Sequence, residues 1–127
     1  MTLPPIATML RHRPPALLLA RVETFDGGSL ACAAGGRASW RWPDVLEAAA
    51  QCAGLLAGLQ PGGPGDRAVI AEYREVRVHA PTHDGPLAVH ARLDRRVLRF
   101  WRCRVEARAA DGRLLLDGTV TVASDAA

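Results

Sequence analysis

Two polar side chains four residues apart on an otherwise apolar segment are the first candidates for chemistry: Glu47 and Gln51, inside SWRWPDVLEAAAQCAGLLAG (39–58). A carboxylate among small and apolar neighbours is costly to bury unless it is hydrogen-bonded, neutral or facing a cleft. On a helix, Glu47, Gln51, Gly54 and Gly58 fall within about 60° of one another and form one stripe. Two readings are open. In one, Glu47 caps or bonds a neighbouring loop and Gln51 satisfies a backbone group. In the other, Glu47 lines a tunnel, and Gly54 and Gly58 leave room for an apolar ligand along the stripe. Helix N-terminal amides from Trp42 to Val45 would then polarise a carbonyl beside the carboxylate.

The remaining reactive side chains do not cluster. Cys32, Cys52 and Cys103 are widely spaced, with no CxxC pair, and read as small buried hydrophobes in a reducing compartment. His79 and His83 are four apart, but Pro81 between them prevents one helix from presenting both to an ion. Neither a metal nor a cofactor is expected.

The elements that must position Glu47 follow from pattern. At 127 residues the chain fits one domain, 1–127, long enough to bury a core without disulfides or metal. No apolar run approaches the roughly 18 residues of a membrane span, and prolines with Arg11, His12 and Arg13 interrupt any signal-peptide core in MTLPPIATMLRHRPP. A cytoplasmic location is expected. All 16 basic residues are Arg, and residues 67–113 hold eleven of them against six acids (Glu72, Glu75, Asp84, Asp94, Glu106 and Asp111). Such a face suits an acidic protein or nucleic acid. Without interleaved exposed aromatics for base stacking, nucleic acid is not expected; without a spanning apolar run, neither is a membrane partner.

A short helical turn is expected over residues 4–11, ended by Pro14 and Pro15, then strands over 16–25 and 29–34 joined at Asp26-Gly27-Gly28. A loop at 35–38 leads into the helix. Pro43 near its first position and Asp44 at the positive end of its dipole mark its start at Trp42 or Pro43; Pro61-Gly62-Gly63-Pro64-Gly65 ends it near Gly58. Beyond, the period is two: Leu87, Val89, Ala91 and Leu93, then Trp101, Cys103, Val105 and Ala107, then residues 114–122, alternate with polar positions. Turns are read at 82–86, at Asp94-Arg95-Arg96 and at Asp111-Gly112, giving three or four strands in a meander and a frayed tail at 124–127. Each strand has one buried and one wet face, as in an antiparallel sheet covering something on one side only.

LRHRPPALLLARV (10–22) resembles the Leu-Pro-His-Arg-x-Pro-x-Leu-Leu-x-Asp-Arg-Val opening of the (3R)-hydroxyacyl-acyl-carrier-protein dehydratases, and VLEAAAQCAGLLAG (45–58) resembles their Leu-Glu-Ala-x-Ala-Gln central helix. ASWRWPDVLEAAAQ resembles the Pro-Ala-Trp segment of a dehydratase-like branch found in aryl-polyene pigment clusters, where subunits can pair with a different hotdog partner. The resemblance spans nearly the whole chain. It implies an α+β hotdog fold, an antiparallel sheet wrapped around one long central helix, dimerised edge to edge as a homodimer or a heterodimer. It also implies an acyl-phosphopantetheine tunnel at the dimer interface and an acidic acyl carrier protein as partner.

Carried over by residue, Glu47 matches the catalytic carboxylate, Gln51 its companion amide and Trp40 the branch tryptophan, a wall of the tunnel mouth. The family's catalytic His belongs ahead of the helix, and residues 27–43 contain none; His12 matches only the opening motif. The chain therefore reads as a dehydratase-like protein acting on or binding a carrier-linked acyl thioester. Glu47 is catalytic; Trp40, Trp42, Val45, Gln51, Gly54 and Gly58 contact substrate; Arg102 and Arg104 dock the carrier. A hotdog thioesterase and a non-catalytic partner subunit of a heteromeric dehydratase are the alternatives.

Overall fold

The computed structural model describes residues 3, 5–10 and 16–125. A single turn of helix, α1 (Ile6–Met9), precedes strands β1 (Leu19–Phe25), β2 (Ser29–Ala34) and the short β3 (Ser39–Arg41). The long helix α2 (Trp42–Gly58) follows, then a 3-10 turn (Gly65–Arg67), β4 (Ala68–Val78), the short β5 (Thr82–Asp84), β6 (Leu87–Val97), β7 (Phe100–Ala109) and β8 (Leu114–Ser124). Six strands form one antiparallel sheet in the order β1-β2-β6-β7-β8-β4, and β3 pairs with β5 in a separate two-stranded ribbon.

Period-two patterning puts Val89, Ala91, Trp101, Cys103, Val105 and Val120 on the face that covers α2. The helix returns Ala48, Ala49, Ala50, Cys52, Ala53 and Ala57, all buried, and their small size lets the sheet close on it from β2 to β8. The helix spans the expected residues. It ends as the Leu59 N–H turns back to the Leu55 and Leu56 carbonyls at 3.0 and 3.2 Å.

Four local expectations are corrected. Residues 82–86 are not only a turn: Thr82–Asp84 pairs with Ser39–Arg41, so a strand, and not a bare loop, leads into α2. β6 does not turn at Asp94-Arg95-Arg96. A register shift between Leu93 and Arg95 absorbs Asp94 as a bulge, Asp94 accepts from Arg102 Nε at 3.1 Å, and the strand runs on to Val97. The expected meander holds for β6, β7 and β8 but not for β4. β4, first in sequence, lies outermost against β8, with register shifts at Ile70/Glu72 and Arg74/Arg77 and a left-handed Glu75 (φ 52°). β1 starts at Leu19, not at residue 16. His12, the 14–15 prolines and the last two residues of the tail lie outside the described residues.

Candidate functional site

Glu47 stands one turn into α2, half-buried, and the cleft it faces is built by two elements. Leu10, Ala50 and Gly54 supply an apolar wall; Ala68, Val69 and Ile70 at the start of β4 supply the opposite one, enclosing about 210 Å³. Glu47 and Gln51 supply the side-chain polarity of this lining. Gly54 keeps the helix side open: a Cβ there would meet Ala68 Cβ at 3.8 Å and Leu10 Cδ2 at 4.0 Å, ordinary contact.

Gln51 is 2% exposed, and its amide is fully used. Its Oε1 accepts from the Leu18 N–H at 2.8 Å; its Nε2 donates to the Ala16 carbonyl at 2.7 Å and, more weakly, to Glu47 Oε1 at 3.4 Å. The side chain thus fastens the segment entering β1 to the helix and steadies the carboxylate from below. Both sequence readings meet here, because the amide satisfies backbone while the carboxylate faces a cleft.

The other expected contacts separate from this cleft. A Cβ on Gly58 would meet the Gly65 carbonyl oxygen at 2.5 Å, so this glycine permits helix-to-backbone packing and lies outside the Glu47 lining. Trp40 is buried, with the Arg37 guanidinium 5.3 Å from its ring centroid. Trp42 is 41% exposed at the helix start, and Val45 is buried in the core. None of the three lines the cleft. Of the helix N-terminal amides, Trp42 N–H already donates to the Pro81 carbonyl at 2.9 Å and Pro43 has none, which leaves Asp44 and Val45 for any polarising role.

One residue was not anticipated. Tyr73, the chain's single tyrosine, is 42% exposed on β4, opposite Val120, whose side chain faces the helix. Burial and then the Glu47 charge raise its phenol above the ordinary value, which places it within electrostatic reach of the carboxylate. The sequence signal was weak, because the bulges in β4 erase its alternation.

No described histidine lines the cleft. His79 Nε2 lies 2.7 Å from Asp117 Oδ2, His83 Nε2 lies 3.0 Å from the Pro86 carbonyl, and His90 stands opposite Glu106. The cysteines are all buried; Cys52 Sγ lies 4.0 Å from Cys32 Sγ, and that contact and burial push the Cys52 thiol up. Burial, with the Asp94 charge, pushes Cys103 up to about 12, so neither thiol is an activated nucleophile.

Arg102 and Arg104 share the outer sheet face, but Arg102 is committed to Asp94. Arg104 faces Arg92 directly across β6 and β7, and among the described residues neither has a carboxylate partner. Among the described residues no helix is long and apolar enough to cross a membrane.

No family model and no curated protein matches the chain. Solved structures do. The dehydratase heterocomplex ApeI:P from Xenorhabdus doucetiae superposes with a TM-score of 0.82 at 18% identity, covering 98% of this chain and 93% of that one. A thioesterase family protein from Silicibacter pomeroyi gives a TM-score of 0.72 at 18% identity over 90% of each chain. A hypothetical thioesterase from Streptococcus pneumoniae, solved with coenzyme A, gives 0.64 at 13% identity over 82% of this chain and 84% of that one. At such identities the likeness establishes the fold: one helix packed against a six-stranded antiparallel sheet, the hotdog fold.

Proposed function

We propose that this hotdog protein is a dehydratase-like subunit that holds a carrier-linked acyl thioester, with the acyl chain between α2 and β4 and Glu47 as the site carboxylate. The observation behind it is the Glu47–Gln51 pair opening into an otherwise apolar cleft. Dehydration of a 3-hydroxyacyl thioester needs one group to take the C2 proton and another to protonate the departing hydroxyl as water. Glu47 can serve as one. The second is supplied from across the free edge of β4 by another hotdog chain, which would also cover the cleft. A two-chain dehydratase among the structural neighbours supports this arrangement.

Hydrolysis is the second reading, favoured by the thioesterase neighbours. A carboxylate on this helix can activate water towards a thioester carbonyl. Arg104, which has no carboxylate partner among the described residues, is the stronger of the two carrier-docking residues, and Arg102, bound to Asp94, the weaker.

The test is incubation with a 3-hydroxyacyl carrier thioester, following conjugated absorbance and free carrier thiol together. Conjugated product that disappears in Glu47→Gln supports dehydration. Thiol release without it supports hydrolysis. A Glu47→Gln variant as active as the parent removes Glu47 from the chemistry, and an inactive parent moves the same assay to mixtures with a companion hotdog chain.

A further inference from the structure

The turn between β6 and β7 consists of Leu98 and Arg99, closed by the Val97–Phe100 pair. Leu98 has φ 54°, while Arg99 keeps a negative φ, so leucine occupies the first central position of a two-residue hairpin turn that glycine normally fills. A branched side chain there costs conformational energy, and this one is 84% exposed. Val97 (47%) and Phe100 (36%) extend the apolar surface beside it. The arrangement is strained and wasteful in water.

The tip is also firmly held. Arg96 donates to the Pro61 carbonyl at 3.1 Å and to the Leu98 carbonyl at 3.3 Å, and it lies 4.8 Å over the buried Trp101 ring. Along the hairpin the charge is predominantly positive, with Glu72 of β4, itself paired with Arg74, lining the same surface hollow as Arg95, Val97 and Phe100. Residues 92–104 hold six Arg (92, 95, 96, 99, 102 and 104) against Asp94 alone. Arg96 is spent on the anchor and Arg102 on Asp94, which leaves Arg92, Arg95, Arg99 and Arg104 without a carboxylate partner among the described residues. Arg99 covers the Phe100 ring at 5.5 Å.

A protruding apolar wedge inside an arginine collar needs no shaped groove in its partner. It matches the interface of a bilayer, where apolar side chains enter the acyl boundary and cations meet lipid phosphates. We propose that the β6–β7 hairpin tip is a peripheral docking point for an anionic lipid surface, with Leu98, Val97 and Phe100 entering the interface and Arg95 and Arg99 at the headgroups. The expectation of no membrane partner considered only spanning segments; this contact is made by a turn. It is independent of what the Glu47 cleft does.

The test is co-sedimentation of the full chain with phosphatidylglycerol/phosphatidylcholine vesicles and with pure phosphatidylcholine vesicles, across a salt series. Binding is expected to the anionic vesicles only and to weaken with salt. Leu98→Gly should fold at least as stably as the parent, because glycine relieves the turn, yet lose about tenfold or more in partitioning. Arg95→Glu with Arg99→Glu should abolish binding. Absence of sedimentation with anionic vesicles, or equal partitioning of Leu98→Gly and parent, overturns the proposal. So does a finding that Leu98→Gly only dissolves a self-association or a contact with an acidic protein.

Discussion

Tyr73 offers a direct reading of the Glu47 charge. As the chain's single tyrosine, it titrates alone in the tyrosinate absorbance band. Its phenol is raised by burial and by the Glu47 charge, so its midpoint should lie above the ordinary value of about 10 and should fall in Glu47→Gln. An unchanged midpoint would separate the two residues. Gln51 carries the structural half of the site: Gln51→Leu strands the Leu18 N–H and the Ala16 carbonyl, and should cost about 2–4 kcal/mol, read as a lowered urea midpoint at constant slope. Both Glu47 and Gln51 were legible in sequence, because a polar pair on an apolar helix is rare enough to demand partners. What the pair touches was not legible, since Ala16, Leu18 and β4 reach it only through the fold. Gly58 read as part of the same stripe because helical periodicity says nothing of the Gly65 backbone pressed against that face.

At the level of elements, α2 and the alternating strands β6, β7 and β8 were visible because each buries one face, which imposes period 3.6 or period 2. β4 was not individually visible. Its two register shifts and left-handed Glu75 break the alternation, and only one side of its hydrogen bonding is used. β3 and β5 are three residues each, too short to leave a period. Beyond its bulge, β4 is clasped to β8 by Asp117, which accepts from Arg77 Nε at 3.1 Å and meets His79 Nε2 at 2.7 Å. Burial alone would raise the Asp117 carboxyl, but the His79 hydrogen bond and the Arg77 charge outweigh it and hold it below the usual range. A depressed carboxyl stabilises the fold above its unfolded value, about 3.9, and loses that contribution as pH falls through the folded value. Asp117→Asn should therefore cost about 1 kcal/mol near neutrality and converge with the parent in acid, measured as unfolding free energy against pH.

For the whole molecule, the sheet has two ends with different fates. The β1 end has the segment at Leu3, Pro5 and Ile6 beside it, while the β4 end borders the Glu47 cleft and exposes Tyr73 and Val78. A second chain added at β4 would complete both sheet and cleft, which makes assembly and chemistry one question. The overall fold was legible because burying one apolar helix under one-sided strands leaves few arrangements; the strand order was not, because β4 pairs with the last strand rather than its successor. The proposed function stands on an acyl chain lying in the cleft beside Glu47. Calorimetric titration of the parent and Gly54→Leu with an acyl-pantetheine thioester tests it most directly, with Gly54→Ala as the control whose Cβ meets only ordinary contacts. The parent and Gly54→Ala should bind, and folded Gly54→Leu should lose about tenfold or more in affinity because the leucine fills the acyl position. Equal affinity in a folded Gly54→Leu, or no binding by the parent, would contradict it.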